Sequence, residues 1–476
     1  ILRRIMMKNK ISRRKFIGQS SCAAIGFSSF MSALLSLKSM SASAMANSAI
    51  AASGDYKALV CFSMSGGNDA FNMLMPRTGN PYAEYAVTRS NLAIDPTTML
   101  AINPLNPDGR DFGLHPSMPN TQNLFNNGRM AFINNVGTLI HPTTKQQIYD
   151  RTANLPLGLF SHSDQYQQWQ TGLPHERAAL GWGGKVADLI SDMNTNQNIS
   201  MNISLSGTNV FQAGQNTVEY TIDPYEGGIG IYGYNPDDNY DVFNILRTQA
   251  INSMVEKSYT DIYKQTYVDV IRNSQEATVE FQSALESAPS FDDIFSDNEL
   301  SQAFKMTART IAAHEALDVQ RQTFFLDFGG WDHHDEVLQE QAGMLYIVDL
   351  ALNEFNQAMD RIGCADMVTT FSMSEFARTL TSNGNGTDHA WGTNVMVMGG
   401  AVNGGYMFGD YPSIALDNPL EIGNGTLIPE LSTDQYFAEL AMWFGVPKSD
   451  LSLLFPNLPN FYDINSPNNP IGFLNI

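Results

Sequence analysis

Four short stretches of this chain carry side chains able to hold a metal ion, and each adjoins an apolar run that reads as a strand. Gly66-Gly67-Asn68-Asp69 follows Ala58–Met64. Gly330-Trp331-Asp332-His333-His334-Asp335 follows Gln322–Phe328, and Ser374-Glu375-Phe376-Ala377-Arg378 follows Met367–Ser372. Asp388-His389-Ala390-Trp391-Gly392 precedes Asn394–Met398. Carboxylates and imidazoles in one mouth suit zinc, manganese or iron, whereas an all-oxygen set suits magnesium or calcium. Each stretch also has a plainer reading. Asp69 fits a turn or helix cap. Asp332 fits the start of a solvated helix. Glu375 fits an ion pair with Arg378 at helical spacing. His389 beside Trp391 fits a packed loop histidine. It is the combination of four strand-flanking loops that points to a metal centre.

Two more histidines come earlier. His115 lies in Phe112-Gly113-Leu114-His115-Pro116, ahead of a predicted helix. His162 lies in Phe160-Ser161-His162-Ser163-Asp164, at the head of a polar helical run through Trp169. Ser161 reads as an N-cap, and as a nucleophile where a base or metal lowers its pKa. Imidazole titrates near neutrality, so His162 or His115 can shuttle a proton. His314, inside a helix pattern, reads as structural.

The elements that must position these groups alternate. The runs named above, with Met130–Val136, read as buried strands. A helix is predicted from Asp335 to Ile362, because Leu338, Ala342, Leu345, Val348, Leu352, Phe355, Met359 and Ile362 step by four and three along one face. Another is predicted over Asn298–Leu317. Strand–helix–strand order implies an α/β fold, a mostly parallel sheet sandwiched by helices. In such a sheet ligands bind beyond the carboxyl ends of the strands. Residues 200–240 are rich in Gly, Asn, Thr and Tyr and read as irregular or β-rich, and 240–290 as polar and helical. One domain over 55–476 with an insertion around 200–295 is therefore expected. The Asn/Pro-rich segment Pro456–Pro470 is expected to wrap the surface.

The first residues carry an address. Ser12-Arg13-Arg14-Lys15-Phe16-Ile17 has the twin-arginine pattern. Ala23–Leu37 is too short and too polar to remain as a spanning helix, and Ala44-Met45-Ala46 fits a cleavage site. Residues 1–46 thus read as a leader for the twin-arginine translocase, and the mature protein as periplasmic or secreted. The leader holds eight of the 27 basic residues and no acid, so the mature chain has 19 basic against 48 acidic residues, a formal charge of −29. That charge repels nucleic acid and anionic lipid. No later segment has the length and apolarity of a membrane span. Beyond the leader only Cys61 and Cys364 remain. This is no disulfide framework, and two buried free thiols are expected, with one bridge as the alternative.

The ordered motifs from Gly66 to Gly392 resemble the bacterial domain-of-unknown-function family numbered 1501, over roughly Tyr56 to Phe444. The resemblance implies an alkaline phosphatase/sulfatase-like fold, twin-arginine export and one or two divalent metals (Zn, Mn, Ca or Mg). It implies Asp69, Asp332, His334 and His389 as ligands, with Glu375 a substitute where the superfamily has an Asp-His pair. Ser161 is the nucleophile candidate, and Ser65 a poorer one. The expected function is hydrolysis of phosphate or sulfate esters on small-molecule or polymer substrates. The alternative is a non-catalytic exported module binding an envelope glycan or partner protein.

Overall fold

The first apolar run becomes the central strand of a large sheet. A computed structural model describes residues 56–231, 234–236 and 238–476. The expected leader, residues 1–46, lies outside the described residues. The described chain falls within one compact unit, Asp55–Ile476.

The strands are β1 (Lys57–Ser63), β2 (Leu74–Pro76), β3 (Leu100–Ile102), β4 (Phe112–Leu114), β5 (Met130–Gly137), β6 (Asn202–Ser204) and β7 (Tyr220–Asp223). They continue as β8 (Gly227–Gly228), β9 (Arg321–Asp327), β10 (Val368–Met373), β11 (Thr393–Met398), β12 (Met407–Phe408) and β13 (Leu431–Ser432). The main sheet has the order β12-β5-β11-β10-β1-β9-β6-β7-β8, with β13 also on β5. The five predicted runs therefore lie side by side as β5, β11, β10, β1 and β9. β10, β1, β9, β6 and β7 run parallel. β11 runs antiparallel to both its neighbours, a departure from pure strand–helix alternation. The chain between β10 and β11 holds no helix, so it cannot cross back to the far edge, and β11 returns from the edge where β10 ended. β2, β4 and β3 form a separate antiparallel sheet.

Alternation along β1 divides two cores. Ala58, Val60 and Phe62 face one side, with the helices Glu299–Ala312 and Val337–Ile362. Leu59 and Cys61 face the other, with Trp182, Phe371, Phe437 and Phe455. A fully buried side chain of this kind contributes about 1.5–3 kcal/mol. Helices therefore cover both faces of a mostly parallel sheet, and its central strands are buried at nearly every position rather than at alternate ones.

The predicted face of Val337–Ile362 holds from Leu345 to Met359 but turns at its start. Val337 and Gln341 are buried, whereas Leu338 is exposed. The reason is polar: Gln341 Nε2 donates to Asn68 Oδ1 at 3.0 Å and to the Asp69 carbonyl at 2.7 Å. Cys61 and Cys364 are buried free thiols, not a bridge. The 200–295 region supplies the edge strands β6 to β8 and two helices, α1 (Val242–Val255) and α2 (Ile262–Glu286). Among the described residues no helix is long and apolar enough to cross a membrane.

Candidate metal centre

Three parallel strands and one antiparallel strand open onto the same edge. β1, β9 and β10 end there, at Ser63, Asp327 and Met373, and β11 begins there at Thr393. Their loops close on one another. Gly66 takes a positive φ of 118°, and a Cβ at this position would come within 2.6 Å of the Trp331 and Asp332 amides. Only glycine lets the turn after β1 lie against the loop after β9. A fifth segment reaches the mouth with the helix His162–Thr171, whose N-cap is Ser161.

The imidazoles of His162, His334 and His389 meet around Asp332. His389 Nε2 lies 3.0 Å from His162 Nε2 and 2.9 Å from His334 Nε2. Asp332 Oδ2 is 3.3 Å from His162 Nε2. Asp332 Oδ1 is 3.0 Å from His334 Nε2 and 3.4 Å from His389 Nε2. One ligand atom each from His162, Asp332 and His389 lies within 4.8 Å of the others. Ligand atoms about 2.0–2.2 Å from a zinc-sized ion have separations of that order.

The opposite ring nitrogens fix the tautomers. His162 Nδ1 is 2.8 Å from Glu375 Oε1, His389 Nδ1 is 2.8 Å from the Phe160 carbonyl, and His334 Nδ1 is 3.3 Å from Asp388 Oδ1. A carbonyl or ionised carboxylate can only accept, so each Nδ1 carries a proton, and the tautomer this selects for a neutral ring turns a bare Nε2 into the cluster. Bare lone pairs at 3 Å repel unless a proton or cation lies between them. A carboxylate or carbonyl behind each imidazole is also the usual support of a metal-bound histidine. Phe160 has a φ of +72°, uncommon for a non-glycine residue, and this conformation delivers its carbonyl to His389.

The carboxylates are held as firmly. Arg378, fully buried, donates from Nη1 to Asp332 Oδ1 at 2.7 Å and from Nη2 to the Thr387 carbonyl at 2.6 Å. Burial pushes the Asp332 pKa up, but Arg378 and the neighbouring imidazoles outweigh it and hold the carboxyl below its ordinary value. Glu375, also buried, accepts from the Gly66 amide at 2.8 Å besides His162, while its Oε2 has no partner among the described residues. The hydrogen bond that His162 donates to Glu375 raises the His162 pKa against the effect of burial. Burial lowers that of His389.

The remaining expected site residues lie elsewhere. Asp69 does not join the cluster. It is fully buried in an ion pair with Arg89, which also binds Asn72 and the Thr379 carbonyl. His115 is buried, its Nδ1 accepts from the Ser117 amide at 3.1 Å, and burial lowers its pKa to about 4. It makes no contact with the cluster among the described residues. The Ser161 hydroxyl faces Ser163 Oγ at 3.2 Å rather than an imidazole. The Glu375–Arg378 pair does not form, because Arg378 turns to Asp332. His162, read as a proton shuttle, sits among the ligand atoms.

Three contributors escaped sequence reading: Arg378 as the support of Asp332, Asp388 as the support of His334, and Asp327. Asp327 closes β9, and its position at a strand's carboxyl end was the available signal. It accepts from Ser65 Oγ at 3.0 Å and from Tyr166 Oη at 3.3 Å. Its side chain reaches solvent but lines an open groove whose walls partly desolvate the carboxyl, and this raises its pKa. The groove, about 560 Å³, is lined by Ser163, Tyr166, Gln167, Thr208 and Asn209.

The family described as Protein of unknown function (DUF1501) matches residues 56–424, and the chain belongs to it. Comparison with curated proteins gives no match. Among solved structures, the chain is similar to the PsFucS1 sulfatase from Pseudoalteromonas sp., with TM-score 0.35, 8% identity, and coverage of 87% of this chain and 72% of that one. It is similar to the lipoteichoic acid synthase LtaP from Listeria monocytogenes, with TM-score 0.31, 9% identity, and coverage of 87% and 77%. It is also similar to Ps i-CgsB in complex with k-i-k-neocarrahexaose, with TM-score 0.32, 10% identity, and coverage of 85% and 77%.

Proposed function

We propose that this chain is an exported, metal-dependent hydrolase of phosphate or sulfate esters. The observation that supports it is the convergence of His162, His389 and Asp332, with His334 alongside, while each Nδ1 is tied to an oxygen. This donor set suits zinc, manganese or iron better than magnesium or calcium. His162, His389 and Asp332 would hold the ion, and His334 would flank it. A bound divalent ion supplies Lewis acidity for an ester oxygen and a lowered pKa for water.

The chain's own groups do the rest. Glu375 keeps the His162 proton on Nδ1, which leaves Nε2 free to coordinate. Arg378 keeps Asp332 ionised, and its charge offsets the acidity of the mature chain at the mouth. Asp327, whose pKa burial raises above the ordinary carboxyl value, lines the groove and is the candidate acid for the leaving oxygen. Ser161 has no imidazole base on its hydroxyl among the described residues, so water is the better nucleophile in this reading. The leader over 1–46 would send the protein through the twin-arginine route to the periplasm or beyond.

One observation favours the second reading, an exported binding module. Asp69 is locked to Arg89, which removes an expected ligand of a second ion. Metal content and turnover of aryl phosphate and aryl sulfate with Zn, Mn, Ca or Mg separate the two. Bound metal with metal-dependent turnover supports the hydrolase, and a folded protein with neither supports the module.

A further inference from the structure

The two helices of the insertion leave many apolar side chains in water, although α2 packs Phe281 and Leu285 into the core. α1 has only Thr248 and Val255 buried. A 14-residue helix with so little packing is marginal by its own propensity. Along it Phe243, Leu246 and Met254 form an exposed stripe at steps of three and eight. Along α2, Tyr263, Tyr267 and Val270 form a second at steps of four and three. Phe243 is 77% exposed, Tyr263 71%, and Tyr240, just before α1, 95%. Isolated exposed apolar residues are ordinary, but contiguous stripes mark a contact surface.

We propose that these stripes are the interface through which two copies of this chain pair. Three observations favour a second copy over another occupant. The first is area. Exposed aromatic side chains bring about 150 Å² each. With the aliphatic members, the patch reaches roughly the 800 Å² per partner that a stable interface buries.

The second is charge. The whole chain carries −21, so two copies repel over most of their surfaces. Val242–Val255 contains a single ionisable residue, Arg247, so this helix brings no acid of its own to the contact.

The third is shape. The patch holds knobs and hollows together. A groove of about 590 Å³ is lined by Ile251, Met254, Tyr263 and Tyr267, and one of about 760 Å³ lies further along α2, beside Tyr234 and Val279. A surface with both protruding aromatics and apolar hollows can complement itself about a two-fold axis, as an isologous interface requires. Two helical hairpins meeting in this way make a four-helix arrangement.

The test is sedimentation equilibrium of the full chain from nanomolar to tens of micromolar concentration. Wild type should approach twice the 52.5 kDa chain mass. The double variant F243E/L246E should weaken pairing by about 30-fold or more, the effect of losing a central hot spot. Tyr263→Lys, on the other helix, should weaken it independently, should the double variant lose its fold. Val87→Glu, at an exposed apolar position outside the hairpin, should pair like wild type. A wild type that stays monomeric throughout, or pairing that survives both hairpin changes, overturns the proposal. So does a monomer that sediments with phosphatidylcholine vesicles, since the stripes then meet lipid.

Discussion

Glu375 Oε1 lies 2.8 Å from His162 Nδ1 and 2.8 Å from the Gly66 amide. One buried oxygen thus joins the turn after β1 to an imidazole brought in by a different segment. Glu375→Ala should lower zinc affinity about 10- to 100-fold, the usual effect of losing a ligand's support. Glu375→Gln, which keeps an acceptor oxygen, should lose less. Competition titration with a zinc indicator reads both, and equal affinity in all three proteins would remove Glu375 from the site.

Arg378 is bound to Asp332 and to the backbone of two loops. Lysine keeps the charge but not the fork of donors. Arg378→Lys should therefore weaken metal binding and lower the thermal midpoint together, leaving backbone carbonyls without their donor. A variant with wild-type melting and wild-type metal content would show that the fork is dispensable.

Asp69 and Arg89 offer the converse test. Breaking a buried pair from one side costs about 3–5 kcal/mol. Asp69→Asn should destabilise the fold on that scale while protein that remains folded keeps its metal stoichiometry. Loss of metal without loss of stability would restore Asp69 as a ligand.

Asp434 sets a pH dependence away from the site. Its carboxylate is fully buried, both oxygens lack partners among the described residues, and burial raises its pKa to about 8. The amides of Asn457 and Leu458 face it without meeting hydrogen-bond geometry, and oppose the shift. In the unfolded chain the group titrates near its ordinary value of about 3.9. Between roughly pH 4 and 8 the folded state therefore holds a proton that the unfolded state lacks, and this group's contribution to stability falls as pH rises. Asp434→Asn should gain on wild type progressively from pH 5 to pH 8. Melting curves at the two pH values, with an unchanged difference between the proteins, would refute it.

Most of the scaffold was legible because the sheet is buried on both faces. Largely apolar runs such as Ala58–Met64 and Gln322–Phe328 fit a buried strand, and their ends marked the mouth. Direction was less legible. β11 reads like its neighbours, and only the absence of a helix after Met373 tells that it runs back. Among site residues, Asp332, His334 and His389 come together as their strand-end positions suggested. Pairings set by tertiary approach could not be read. Arg89 and Asp69 lie 20 residues apart and meet only once folded, and Arg378 passes over its near neighbour Glu375 to reach Asp332.

The central strand has a consequence for synthesis. β1 is made early, yet both of its neighbours, β9 and β10, begin only at Arg321 and Val368. At about 5–20 residues per second, its backbone waits on the order of tens of seconds for partners. During that interval a hydrophobic strand with two open edges has left the ribosome, so the chain cannot fold progressively as it emerges. An unpaired apolar strand can pair with another chain, so this interval is when the nascent protein is most exposed to aggregation.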